Sequence, residues 1–288
     1  MTYGSHYDRS QVERWLREDL GHHDATNEVP GETTGRLVAT ESGVAAGLDA
    51  AAAVFEYLDV AVTDRLGAGD PVESDETLLR VEGTASSVLR GERVAVNVAG
   101  HASGVATRTR RAVEAARTVD DDVRIAGTRK TTPGLRGIEK RAVAAGGGDT
   151  HRLDLSHMVM VKDNHVAELG MEAAVERFRE RASFATKVEV EVERPADAAR
   201  AVDAGADVVL LDNMTPAETE RAVATIEGGV LAEASGGITV DEVPEYAATG
   251  VDVVSLGSLT HSAAALDLSF RTRAKTDDGG GVGDPFNR

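Results

Sequence analysis

The chain has 288 residues, no cysteine, and 49 acidic against 31 basic side chains, for a formal charge of -18. That composition excludes disulfides, thiolate metal sites and a cysteine nucleophile, and with aromatics at 3% and no basic face it excludes nucleic acid as a partner. The N-terminal MTYGSHYDRS lacks the basic start and apolar segment of a signal peptide, and no apolar run approaches the ~18 residues of a membrane span, so a cytoplasmic protein is expected.

In chain order, VERWLREDLG (12–21) reads as an amphipathic helix, and RLVATESGVAAG and TLLRVEGTASSV read as strands and turns. These place an α+β domain at 1–108, to which the chain after about residue 266 is a candidate to return. VNVAGHASGVATRTRRAVEAARTV (96–119) reads as one or two linking helices. From there β-like runs alternate with helical patterns: VRIAG (123–127), MVMVK (158–162), KVEVEVE (187–193), DVVLLD (207–212), VLAEA (230–234) and VDVVSLG (251–257). Strands separated by helices of this length mean βαβ units and a parallel sheet. Six units are too few for a closed eight-fold barrel and no GxGxxG fingerprint follows a strand, so 109–275 is expected to be an incomplete α/β barrel, with a doubly wound open sheet as the alternative. The Gly- and Asp-rich tail, 276–288, is expected to be disordered.

Parallel α/β folds bind ligands at the C-terminal ends of their strands. Here those ends carry Thr128-Arg129-Lys130, Lys162-Asp163-Asn164-His165, Glu191 and Glu193, Asp212-Asn213, Ser235-Gly236-Gly237 and Gly257-Ser258. In KVEVEVE, period-two geometry puts Lys187, Glu189, Glu191 and Glu193 on one face, which a buried parallel strand turns toward the barrel interior. ASGGI and LGSLTHS, at the last two strands, pair small hydroxyl residues with glycine before helical segments, as a phosphate cradle requires. Lysine is scarce, five residues against 26 arginines, and three of the five lie between 130 and 162. A dense acidic surface with so few lysines suits molar salt, where the Debye length falls to about 3 Å, so a halophilic protein is expected. The composite is a pocket with a cationic wall, a carboxylate wall and a phosphate cradle, fit for carboxylates, a sugar phosphate and a hard cation such as Mg²⁺.

TRKTTPGLR, HRLDLSHMVMVKDNH, EVEVE, LLDNM, EASGGI and SLGSLTHS, in this order, together with GERVAVNVAGHASGVAT upstream, resemble quinolinate phosphoribosyltransferases. The resemblance runs from WLREDL to LDLSF, and GHHDATNE departs somewhat from the family's usual pattern after EDLG. It implies transfer of phosphoribosyl from phosphoribosyl pyrophosphate to quinolinate, giving nicotinate mononucleotide, pyrophosphate and CO₂ in NAD biosynthesis. It implies a homodimer with shared sites, in some members a hexamer of dimers. By the same resemblance Arg129, His151, Arg152 and Lys162 meet the quinolinate carboxylates, with Arg93 arriving from the partner subunit. Lys130, Lys162, Glu191 and Asp212 are implied as catalytic, Glu191 and Asp212 also as the ribose and Mg²⁺ ligands, and Ser235, Gly236, Gly257 and His261 as the 5′-phosphate site. Arg136 and Lys140 receive no role.

Three other readings compete. A paralogous phosphoribosyltransferase keeps the motifs and changes the substrate. A Schiff-base aldolase uses Lys162 as its amine. A binding module shows affinity without turnover.

Overall fold

Residues 7–274 are described by a computed structural model of the chain. The first region holds α1 (Arg9–Leu20), β1 (Glu32–Ala39), β2 (Gly43–Val44), α2 (Leu48–Tyr57), β3 (Ala61–Arg65), β4 (Pro71–Val72), β5 (Thr77–Thr84) and the long α3 (Ala85–Arg117). The second holds β6 (Arg124–Ala126), α4 (Arg136–Ala145), β7 (Val159–Val161), α5 (Asp163–Leu169), α6 (Met171–Arg181), β8 (Val188–Val192), α7 (Ala198–Asp203), β9 (Val208–Asp212), α8 (Pro216–Val223), β10 (Leu231–Ser235), α9 (Val243–Ala247), β11 (Val253–Ser255), α10 (Ser258–His261) and β12 (Leu268–Ala274). The tail at 276–288, expected to be disordered, lies outside the described residues.

Six parallel strands form one sheet in the order β6-β11-β10-β9-β8-β7. The consecutive strands β6 and β7 therefore stand at opposite edges, and the barrel stays open between them. One parallel bridge, Ala126 to Asp149, extends the β6 edge. The strands form where the Val-rich runs lie because both faces of a parallel sheet are covered. Val188, Val190 and Val192 of β8 are at most 3% exposed on the outer face, while Glu189 on the inner face is fully buried. Local chemistry starts the outer helices: Thr215 and Glu218 form a capping box ahead of Pro216 at the N-terminus of α8.

Only part of the charged face of KVEVEVE enters the interior. The strand spans Val188–Val192, so Lys187 and Glu193 fall beyond its ends and are exposed, and Glu189 and Glu191 alone point inward.

The first region is an antiparallel sheet, β12-β1-β5-β3, covered by α2 and α3. Its last member arrives from beyond the barrel: β12 pairs with β1 from Thr33↔Ala274 to Ala39↔Leu268. Phe270 of β12 stacks on the fully buried Phe55 of α2 at 5.6 Å, and burying such a ring contributes about 1.5–3 kcal/mol. The helix α3 is a single 33-residue element that belongs to both regions and passes straight through residue 108. Small residues along it let other backbone approach closely: a Cβ on Gly104 would lie 1.9 Å from the Ala264 carbonyl oxygen. Ser103 Oγ bonds both Ala46 N and Ala46 O at 3.1 Å, so its buried hydroxyl is satisfied.

Candidate active site

Polar groups gather at the C-terminal ends of the barrel strands and in the interior below them. After β6 the chain crosses into a loop held from three sides. Thr128 Oγ1 accepts Lys130 N at 3.0 Å, Thr260 Oγ1 of α10 donates to the Lys130 carbonyl at 2.5 Å, and Glu139 Oε2 accepts Thr132 N at 3.0 Å. Glu139 is fully buried and also meets His101 Nε2 of α3 at 2.9 Å, so the long helix braces this loop. Arg136 Nε donates to Thr131 Oγ1 at 3.0 Å, and Lys140 Nζ donates to the Thr150 carbonyl. The two cations without a role in the sequence thus tie α4 to the segments on either side of it.

Deep in the barrel, His151 and Arg152 face two carboxylates. His151 takes a left-handed conformation, φ 51, which costs a non-glycine residue on the order of 1–3 kcal/mol. Asp149 Oδ1 accepts His151 N at 2.7 Å and fixes that bend. The ring points inward, with Nε2 3.1 Å from Glu233 Oε2 and 3.6 Å from Glu189 Oε1. Burial opposes charge on this imidazole, but the hydrogen bonds and charges of Glu189 and Glu233 outweigh it and raise its pKa to about 10. Burial pushes the Glu189 carboxyl upward despite the opposing pull of His151. Arg152 is buried, donates Nη2 toward Met160 Sδ at 2.7 Å and lies in the combined field of Glu189, Arg129, Glu233 and Glu191. The buried Nε atoms of Arg129 and Arg152 have no partner among the described residues and are free to meet an anion.

Nearer the mouth the charges are wetter. Lys162 Nζ pairs with Glu191 Oε2, with side chains 43% and 12% exposed. That commitment suits an anion-binding cation better than a free amine nucleophile, which disfavours the aldolase reading. Asn213, itself at φ 56, donates Nδ2 to Asp212 Oδ2 at 2.7 Å. Glu191 and Asp212 each engage one carboxylate oxygen and leave the other open, so the pair fits a hard cation. A second set of donors lies deeper: His151, Glu189 and Glu233 bring their ligand atoms within 4.8 Å of one another.

At the last two strands Ser255 Oγ donates to Ser235 Oγ at 2.9 Å, placing the two hydroxyls side by side. Gly236 sits at φ 102, and a Cβ there would lie 2.5 Å from Asn213 N, so only glycine fits. A Cβ on Gly257 would meet Lys130 Cδ at 2.8 Å and His261 Nε2 at 3.4 Å, so Lys130, Gly257 and His261 are neighbours.

The comparisons with known proteins bear on this whole arrangement. The sequence matches the quinolinate phosphoribosyl transferase C-terminal domain over residues 105–271 and its N-terminal domain over 23–103. The chain belongs to the quinolinate phosphoribosyltransferase family. It is 44% identical over 272 residues to the probable nicotinate-nucleotide pyrophosphorylase [carboxylating] of Methanothermobacter thermautotrophicus, covering 91% of this chain and 98% of that one. The human nicotinate-nucleotide pyrophosphorylase [carboxylating] is 42% identical over 270 residues, covering 92% and 91%. The crystal structure of NadC from Streptococcus pyogenes superposes with a TM-score of 0.87 at 39% identity, covering 93% of this chain and 96% of that one.

Within this family member the structure groups Arg129, His151, Arg152, Lys162 and Glu191 around the barrel interior and Lys130, Gly257 and His261 at its edge, with Asp212, Ser235 and Gly236 on the intervening strand ends. Arg93 stands apart. It is exposed on α3, two turns or about 12 Å before His101, the residue through which that helix reaches the Lys130 loop. Sequence reasoning missed Glu233 entirely, along with the His101–Glu139 pair. The signal for Glu233 was a single acid inside the otherwise apolar run VLAEA of a strand expected to be buried.

Proposed function

We propose that the chain is a carboxylating quinolinate phosphoribosyltransferase, which joins quinolinate to phosphoribosyl pyrophosphate and yields nicotinate mononucleotide, pyrophosphate and CO₂. One observation carries the reading beyond family membership: Arg129 and Arg152 hold unpartnered donors inside a barrel whose rim bears carboxylates, as a dicarboxylate acceptor and a ribosyl cation require.

Arg129, His151, Arg152 and Lys162 bind and orient the two ring carboxylates, which places the ring nitrogen toward the rim. Ser235, Gly236, Gly257 and His261 hold the 5′-phosphate. As the anomeric carbon loses pyrophosphate and gains oxocarbenium character, Glu191 and Asp212 stabilise the positive charge and Lys130 stabilises the leaving anion. Glu191 and Asp212 would hold Mg²⁺, which would supply charge neutralisation to the pyrophosphate. The ring nitrogen forms the bond to the anomeric carbon. The adjacent carboxylate then leaves as CO₂, because the cationic ring stabilises the electron pair left behind, and that carbon takes up a proton.

Arg93 acts in the site of a partner subunit, in a homodimer or a hexamer of dimers. Its exposure on α3 supports that role. The enzyme works in the cytoplasm of a halophile, as the charge of -18 and the scarcity of lysine support. Among the described residues no helix is long and apolar enough to cross a membrane.

The test is direct. Purified protein in concentrated KCl with Mg²⁺ is expected to convert quinolinate and phosphoribosyl pyrophosphate to nicotinate mononucleotide with stoichiometric CO₂. Turnover of nicotinate without turnover of quinolinate sinks the substrate assignment. Mixing Arg93→Ala and Lys162→Ala chains, each inactive alone, is expected to restore part of the activity; failure in a demonstrated heterodimer removes the shared site.

A further inference from the structure

Two acids enter the barrel interior on terms that packing alone does not explain. Glu189 on β8 and Glu233 on β10 are 0% and 2% exposed, and three of their four carboxylate oxygens have no close hydrogen-bond partner among the described residues. The other buried positions of these strands are apolar, Val188, Val190 and Val192 on one and Ala232 and Ala234 on the other. Apolar residues in place of the acids would pack without desolvating a charge. What the two acids share is one atom, His151 Nε2, at 3.1 Å from Glu233 and 3.6 Å from Glu189. The backbone of His151 is itself held at φ 51 to bring the ring there. With Nε2 occupied from below, Nδ1 is the ring nitrogen left for a ligand.

We propose that Glu233, backed by Glu189, is a positioning residue. It accepts the Nε2–H of His151, and the two carboxylates together hold the ring as the imidazolium, so that Nδ1 also carries a proton and donates it in a hydrogen bond to a substrate carboxylate, and the barrel floor selects an acidic ring substituent over a neutral one. The inference rests on the reading that quinolinate contacts His151. The same three side chains also have the spacing of a metal site. The Arg152 guanidinium already lies in the field of both carboxylates, and a second cation among them is opposed by that charge.

Steady-state kinetics and ¹⁵N NMR of histidine-labelled protein test this, with the His151 signals assigned by loss in His151→Gln. Glu233→Leu is expected to raise the KM for quinolinate at least ~10-fold while leaving the KM for phosphoribosyl pyrophosphate within about 2-fold, since one buried acceptor is lost. Glu233→Gln keeps an oxygen that accepts from Nε2–H and is expected to recover most of that loss. In the wild-type NMR spectrum Nε2 of His151 is expected to carry a proton in a hydrogen bond, and Glu233→Leu is expected to abolish that signature. Equal changes in both KM values, a wild-type His151 with Nε2 unprotonated, or a stoichiometric metal found by elemental analysis and lost in Glu233→Gln would each overturn the proposal. If His151→Gln leaves the quinolinate KM unchanged, the reading of quinolinate at His151 fails and the proposal falls with it. If His151→Gln raises that KM and Glu233→Leu does not, the positioning role alone is overturned.

Discussion

The floor and the rim of the barrel use the same charge types in opposite ways. On the floor, Arg152, Glu189 and Glu233 are buried and the His151 side chain is only 11% exposed, so these charges face one another with little water between them. At the rim, Lys162 is 43% exposed, and it and Asp212 are paired with groups that solvent also reaches. Buried charges interact strongly and have few alternative geometries, whereas half-exposed pairs are screened and easily rearranged. The floor therefore suits a small rigid acid presented in one orientation. The rim suits a flexible polyanion that brings its own counter-ion and must leave in two pieces.

If that contrast holds, the largest effect on stability comes from unpairing the floor. Glu189→Leu leaves Glu233 as the one buried acid beside His151 and Arg152, and because the leucine has no charge to desolvate the net cost is expected to be on the order of 3 kcal/mol, read by urea denaturation in concentrated KCl. An unchanged midpoint would mean that the floor charges are not mutually dependent.

The pH profile is the next largest. The folded chain holds the His151 proton up to about pH 10, whereas an unfolded imidazole releases it near 6.5. The resulting stabilisation is complete below pH 6.5 and lost as the pH rises through 10, by on the order of 2 kcal/mol between pH 7 and 9.5 after allowing for partial solvent access. Burial lowers Lys140 to about 8, aided by the charge of Arg136, which works in the opposite sense: that penalty is relieved between pH 8 and 10.5. Repeating the titration in Lys140→Met is expected to steepen the alkaline loss.

A smaller change tests the backbone that joins floor to rim. Gly236→Ala forces a Cβ against Asn213 N at φ 102 and is expected to cost about 1–3 kcal/mol and to weaken phosphoribosyl pyrophosphate binding, measured by calorimetry. Smallest of all in stability is Lys162→Met at the rim, expected to change the unfolding free energy by under about 1 kcal/mol while kcat/KM falls on the order of 10²–10³-fold. A large loss of stability there would erase the distinction between the two regions.

What the sequence made legible follows the same division. All six barrel strands could be read from it, because a parallel strand buried on both faces is usually a short apolar run, as in VVLLD, and where β8 alternates, as VEVEV, its valines still mark it. The rim could be read too, since its residues follow those runs directly. The floor could not. Its pairings join His151 to acids 38 and 82 positions away, and the acid of VLAEA differs from a surface acid only by where its strand packs. The full extent of α3 was equally hidden: 96–119 reads as one or two linking helices, whereas the helix begins at Ala85 and runs unbroken through Gly91, Gly100 and Gly104, which are poor helix formers. In the structure these glycines are where other chain segments press against the helix: the Phe55 ring lies 2.9 Å from a Cβ placed on Gly91, and the Leu266 carbonyl oxygen 3.0 Å from one on Gly100.

That unbroken helix also acts as a ruler. At 33 residues it is about 50 Å long, and it fixes both the distance and the angle between Arg93 and the His101–Glu139 brace of the Lys130 loop. Inserting one residue between Arg93 and His101 would turn the arginine by about 100° around the helix axis and shift it by about 1.5 Å. A point substitution removes a side chain; such an insertion keeps every side chain and changes only the phase between them. The spacing of those two residues is thus itself a quantity that this fold specifies.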